Sequence, residues 1–209
     1  MKVVVFGATG SVGRLAVKRL LEQGHEVKAF ARHTERLDLQ HPRLVKHAGD
    51  AMDSDNVSSA VAGYDAAVIT LGAGASRKSR VRSEGTRNIV IAMQEHGVKR
   101  LICQSTLGAG DSYGNLNFLW KYVMFGLLLR PALLDHERQE QLVRDSGLDW
   151  TIVRPSAFTD EPGEGLFRVD IPTDERGLSL KISRADIASF LTRCIDEASF
   201  THRAVGISC

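Results

Sequence analysis

Apolar residues along this chain fall into two kinds of run. Short unbroken ones, such as Val3-Val-Val-Phe6 and Ala66-Ala-Val-Ile69, suit parallel strands buried on both faces. Between them lie stretches in which apolar positions recur every three or four residues, the period of a helix with one buried side. Strands are predicted at Val3 to Val5, His25 to Ala31, Arg43 to Ala48, Ala66 to Thr70, Lys99 to Gln104, Trp150 to Arg154 and Ala204 to Ile207. Helices are predicted at Val12 to Gln23, Ser54 to Ala62, Val81 to His96, Asp135 to Ser146 and Ala185 to Asp196, with Gly97 and Gly147 closing two of them. Alternation of strands and helices with right-handed crossovers builds a doubly wound parallel sheet with helices on both faces. The whole chain, 1–209, reads as one α/β domain.

Two segments break the alternation. Leu116 to Leu129 is the most apolar stretch, too short and too interrupted by Lys121 to span a bilayer. It reads as a core or dimer-interface helix or, alternatively, as a lid over an apolar ligand or a partner contact. After Pro155 the chain turns rich in Pro, Gly, Asp and Glu up to Gly177, which suggests a surface loop. Regions 107–131 and 156–180 are therefore expected to cover a substrate.

The first strand runs directly into Gly7-Ala-Thr9-Gly10-Ser11-Val12-Gly13. Glycines at this spacing, between a valine-rich strand and a helix, are a dinucleotide signature. Gly7 allows the tight turn, Gly10 lets backbone approach a pyrophosphate, and Gly13 permits close helix–strand contact, while the helix N-terminus complements phosphate. An NAD-selective site carries an acidic residue at the end of the second strand. Here that place holds Arg32, with Thr34 and Arg36 close behind, which favours the 2′-phosphate of NADP. Asp50, after the third strand, is placed to meet the adenine, and Leu71-Gly72 after the fourth to border the diphosphate and ribose.

Composition narrows the partners. With 43% hydrophobic and 25% charged residues and a net charge of +2, the chain has an ordinary globular balance and no aromatic-studded basic patch, so nucleic acid is not expected. Cys103, Cys194 and Cys209 are odd in number and lack C-x-x-C spacing, which argues for free thiols and a reducing, cytoplasmic setting. No secretory signal is visible at the N-terminus. The histidines are scattered, without a metal-ligand spacing.

The glycine turn, Arg32, Gly49-Asp50, Ala60-Val-Ala-Gly-Tyr-Asp-Ala66, Ser83-Glu-Gly-Thr-Arg-Asn-Ile-Val90, Asp135-His136-Glu-Arg138 and Ser146-Gly-Leu148 form an ordered set. In this set the chain resembles the atypical short-chain dehydrogenase/reductases, and among them the biliverdin-IXβ and NADPH-dependent flavin reductases. The resemblance runs nearly end to end and implies a Rossmann fold with NADP(H) as cofactor. Carried over by position, Gly7, Thr9, Gly10, Ser11, Val12 and Gly13 would hold the diphosphate, and Arg32 the 2′-phosphate. Asp50 and Ala51 would meet the adenine, and Leu71 and Gly72 the ribose side. Ser105 matches the serine near the nicotinamide. The chain departs from that group at Arg154-Pro-Ser156, where a Pro-Pro-His segment is expected, and in its longer apolar segment. The Arg-Pro-Ser form is similar to NmrA-like proteins, which bind NADP and regulate without turnover.

The Tyr-x-x-x-Lys pair that protonates an alkoxide is absent: Tyr64, Tyr113 and Tyr122 are followed four positions later by Val68, Asn117 and Gly126. An ordinary ketone would lack a proton source, whereas a flavin, a quinone or a linear tetrapyrrole spreads charge over a conjugated ring. Ser105 and Thr106 are candidates for hydrogen bonds to either ring, and His136 is the histidine with a plausible chemical role. The sequence thus predicts an NADPH-dependent reductase of a flat conjugated acceptor, or alternatively a redox-sensing NADP-binding protein.

Overall fold

The computed structural model describes residues 1–74 and 79–209. Six parallel strands, β1 (Lys2–Phe6), β2 (Glu26–Ala31), β3 (Leu44–Ala48), β4 (Ala66–Ile69), β5 (Arg100–Gln104) and β6 (Asp149–Pro155), lie in the order β3-β2-β1-β4-β5-β6. In register, Val3 to Phe6 pairs with Val27 to Phe30 on one side and Ala66 to Ile69 on the other. Strand β10 (Arg203–Ser208) extends the sheet in parallel beside β6, and the two-residue β8 (Arg168–Val169) closes that edge antiparallel. A separate parallel pair, β7 (Ala157–Thr159) and β9 (Lys181–Ser183), stands beside the end of β6.

Helices α1 (Gly13–Glu22) and α5 (Arg184–Asp196) cover one face, burying Ala16, Val17, Leu20, Phe190 and Leu191 against the odd side chains of β1. Helices α2 (Ser54–Val61), α3 (Val81–Glu95) and α4 (Arg130–Arg144) cover the other, around Phe6, Ile69, Met93 and Leu101. This is the doubly wound parallel Rossmann sheet that the alternation predicts. The strand order reverses between β1 and β4, and the two loops leaving them diverge there to form a crevice.

The C-terminal half departs from expectation at three places. The apolar segment is not a core helix: Leu119–Leu128 winds as a π-helix in which Phe125 alone is buried, while Phe118 and Leu127 are each 74% exposed. A run apolar on every side cannot turn all of itself inward, and a small cluster of Leu107, Leu116, Leu133 and Leu180 takes up only one side. Helix α4 begins at Arg130 rather than Asp135, with Pro131 in its first turn, where a missing N–H costs nothing. The stretch 156–177 is not all loop, since it carries β7 and β8.

Cys103 and Cys194 are buried and Cys209 is exposed, and all three are free. Burial pushes the Cys103 thiol well above its ordinary range and that of Cys194 up to about 12. No helix among the described residues is long and apolar enough to cross a membrane.

Candidate active site

The crevice at the strand reversal is a groove of about 430 Å³ along the C-terminal ends of β1, β2, β4 and β5. Gly7, Thr9, Gly10, Ser11 and Val12 form its floor, Arg32, Asp50 and Ala51 one end, and Leu71, Gly72, Ser105, Thr106 and His136 the other. Gly13 and Arg36 lie off its wall.

The three glycines do different work. Gly7 has φ +84°, and a Cβ there would sit 2.6 Å from the Thr70 carbonyl oxygen. At Gly13 a Cβ would drive into the Gly7 carbonyl and come 2.7 Å from Thr70 Oγ1, so this residue belongs to the packing of α1 on the turn. Gly10 has ordinary φ, is exposed on the groove, and a Cβ would meet the Gly7 oxygen at 3.1 Å and the Thr70 oxygen at 4.0 Å. The turn is braced by Gly10 N–H donating to Gly7 O (2.9 Å) and Thr70 Oγ1 to Phe6 O (2.9 Å).

Helix N-termini show where a ligand fits. Asp53 caps α2, accepting from Asp55 N (2.9 Å) and Asn56 N (3.0 Å), and Ser183 caps α5 through Asp186 N (3.0 Å). The first turn of α3 donates to Asp135 of α4, from Arg82 N (3.3 Å) and Ser83 N (3.2 Å). Helix α1 has no side-chain cap, and its N-terminus faces the groove. An uncapped, dipole-positive helix end beside a glycine floor is suited to an anionic diphosphate. Arg32 is exposed at the groove's end, and among the described residues no carboxylate lies within ion-pair distance of it. Asp50 accepts from Met52 N (3.0 Å) through Oδ1, which leaves Oδ2 for a ligand.

At the other end Ser105 is 1% exposed, and its hydroxyl donates to Glu140 Oε1 (2.6 Å). Glu140 is clasped in turn by Arg154, through Nε to Oε1 (2.9 Å) and Nη2 to Oε2 (2.6 Å), and Arg154 also pairs with Asp111. Burial alone would lower the Arg154 pKa, but the hydrogen bonds and charges of Glu140 and Asp111 outweigh it and hold the guanidinium more firmly protonated. The serine proton is thus committed inward, and its lone pairs are what it can offer to the groove. Thr106 keeps its hydroxyl freer, with only a long 3.4 Å contact to Leu107 O.

His136 lies in the second turn of α4, not at the helix start. Gln139 Nε2 donates to Thr86 Oγ1 (3.0 Å), which turns Gln139 Oε1 toward His136 Nδ1 (3.3 Å). The imidazole therefore carries its proton on Nδ1. Burial, then the positive charge of Arg82, pushes its pKa down to about 3, and the ring is neutral at physiological pH.

A second, mostly apolar cavity of about 330 Å³ adjoins the groove. It lies between the π-helix, which contributes Trp120 and Phe125, and the stretch Ser156 to Phe158 after β6. Arg82, Thr106, His136 and Phe158 line both spaces. None of the three tyrosines lines either one. Sequence reading missed Arg82, Glu140 and Arg154. Their signal, charged residues at positions that the helix and strand patterns assign to the inside, was available at Glu140 and Arg154 alone.

Residues 7–198 match the model of a family described as NAD(P)H-binding. Among curated proteins, the chain is 29% identical over 206 residues to the UPF0659 protein YMR090W of Saccharomyces cerevisiae, covering 93% of this chain and 87% of that one. It is 41% identical over 113 residues to a 3-beta-hydroxysteroid dehydrogenase of Mycolicibacterium neoaurum, spanning 48% of this chain and only 31% of the length of that relative. Among solved structures, a short-chain dehydrogenase/reductase of Veillonella parvula in complex with NADP superposes with a TM-score of 0.83 at 18% identity, over 100% of this chain and 94% of that one. ChuY, described as an anaerobillin reductase of Escherichia coli O157:H7, superposes with a TM-score of 0.81 at 22% identity, over 100% and 97%. The glycine turn between β1 and α1, the open crevice at the strand reversal and the family match over almost the whole chain agree: this protein belongs to the NAD(P)H-binding family.

Proposed function

We propose that this protein is an NADPH-dependent reductase that delivers hydride to a flat conjugated acceptor: a flavin, a biliverdin-like tetrapyrrole or a quinone. The observation that carries this reading is the joining of a groove suited to a dinucleotide with an apolar cavity, at a junction that has no acid to give. The reductase described for ChuY, with the same fold, lends it support.

In this reading Thr9, Gly10, Ser11, Val12 and the α1 N-terminus receive the diphosphate. Arg32 takes the 2′-phosphate, with Arg36 near enough in sequence to add charge but not contact. Asp50 and Ala51 hold the adenine side, Leu71 and Gly72 the ribose side. Gly13 supports the site through the turn it packs against. Bound NADPH supplies the hydride. Ser105, its proton held by Glu140, accepts from the amide of the nicotinamide end, and Thr106 is the hydroxyl able to donate toward a ring oxygen or nitrogen. His136, neutral with Nδ1 engaged, presents Nε2 as an acceptor and has no proton to deliver. Solvent provides the proton, which suits an acceptor whose ring spreads the charge before protonation. The 107–131 and 156–180 segments exclude bulk water from one side of the acceptor.

NADPH oxidation with FMN, riboflavin, menadione and biliverdin tests the reading: turnover with at least one is expected, and none with a simple aliphatic ketone. Tight NADPH binding with no turnover of any of the four would replace it with the regulatory NADP-binding reading.

A further inference from the structure

Of the four side chains that line both cavities, Arg82 alone carries charge at neutral pH. Its side chain is 16% exposed, and its nearest carboxylate, Asp135, stands 3.7 Å away, beyond hydrogen-bond reach. Asp135 is already occupied, accepting from Arg82 N (3.3 Å), Ser83 N (3.2 Å) and Ser83 Oγ (2.5 Å). Among the described residues the Arg82 guanidinium donates no side-chain hydrogen bond. Burial pulls its pKa down, and the Asp135 charge offsets only part of that. A guanidinium has five N–H donors in a rigid fork, and the single ion pair with Asp135 leaves most of them unused. Arg82 lines both cavities, where an acceptor on a ligand can reach those donors.

We infer that Arg82 anchors a carboxylate on the acceptor, so that the substrate class is a planar apolar molecule bearing at least one acidic group at the edge nearest the groove. This deepens the reductase reading and rests on it. The apolar body has Trp120, Phe125 and Leu116 to pack against, none of which carries a positive charge. The phosphates of the dinucleotide have their own partners at the α1 N-terminus and Arg32, at the far end of the groove. A fork–fork contact with a carboxylate fills the Arg82 donors in the geometry they prefer.

The test compares 9,10-anthraquinone-2-carboxylate with its neutral methyl ester, titrated onto the protein with and without saturating NADP⁺ and followed by quenching of tryptophan fluorescence. The acid is expected to bind about tenfold or more tighter than the ester. Arg82→Met should bring the two to parity, and Arg82→Lys should keep part of the difference. Equal binding of acid and ester by the parent protein overturns the inference, as does a preference that survives Arg82→Met. So does an Arg82→Met variant that loses NADP⁺ as strongly as it loses the acid, since Arg82 would then serve the cofactor. If Arg82→Met fails to fold, Arg82→Gln is read by the same criteria. NADP⁺ titration by calorimetry reports separately on the reductase reading. Its failure leaves the acid-to-ester ratio of the free protein to decide the role of Arg82.

Discussion

The groove and the apolar cavity share a wall but are built by opposite means. The groove is largely backbone: its floor comes from one turn, Gly7 to Val12, and what it offers there are N–H donors and a helix end left open because side chains are missing. The cavity is side chain: Leu116, Trp120, Phe125, Phe158 and Leu180 come to it from segments spread over some sixty residues. A backbone site tolerates little change in its few positions and much around them, while a side-chain site can be reshaped one residue at a time. One scaffold can therefore hold a fixed cofactor and vary its acceptor.

The sharpest way to break the contrast is Gly10→Val. If the floor is a ligand surface, NADPH affinity should fall by about a hundredfold or more while the melting temperature falls far less than in Gly13→Val, because a Cβ at Gly10 meets the Gly7 oxygen at 3.1 Å and needs only a small shift. Gly13→Val is the counter-experiment: its Cβ collides with the Gly7 carbonyl, so the fold itself should be lost or strongly destabilised. Calorimetric titration beside thermal melts separates them. A Gly10→Val protein that binds NADPH like the parent removes the phosphate assignment. One that instead loses anthraquinone binding in the cavity shows that the two regions are not independent.

Arg32→Ala comes next. A charge-assisted contact is worth roughly 1.5–3 kcal/mol, so NADPH affinity should drop about tenfold to hundredfold, with little change for NADH. Equal losses for both cofactors would move the phosphate site elsewhere.

The smallest effect belongs to His136 on the cavity side. Its folded pKa of about 3 lies below the ordinary 6.5, so between those values the unfolded chain binds a proton that the folded one refuses. Stability from this residue is complete above about pH 6.5 and drains away as pH falls toward 3. Urea midpoints near neutral and at mildly acidic pH should converge in His136→Asn relative to the parent. An unchanged pH slope in the variant would put the titrating group elsewhere.

The sequence disclosed the groove far better than the cavity, for the same reason that the two differ. A strand buried on both faces has to be an unbroken apolar run, and a glycine turn between it and a helix is contiguous, so β1, the turn and α1 can be read from one short window. Alternation and crossover handedness give the doubly wound parallel sheet, while its strand order came from the structure. Nothing local marks the cavity. The Leu116 to Leu129 run carries no period to say which side faces in, and the first turn of α4, which holds Pro131, falls before the helix that the pattern predicts. The strands β7, β8 and β9 are two or three residues long and embedded in turn-rich sequence. Glu140 and Arg154 explain one another only once α4 is laid beside β6, and Arg82 acquires meaning only from two cavities that no single segment encloses.

The state of the three thiols bears on what this protein can safely handle. Quinones are electrophiles that alkylate thiolates, so the proposed acceptor class would test every thiol within its reach. Cys103 lies in β5, the strand that leads to Ser105, yet it is sealed in the sheet and kept protonated by burial, as is Cys194 in α5. Cys209 is exposed and lines neither cavity, and burial and the nearby carboxylates Asp186, Glu161 and Glu164 hold its thiol above the ordinary range too.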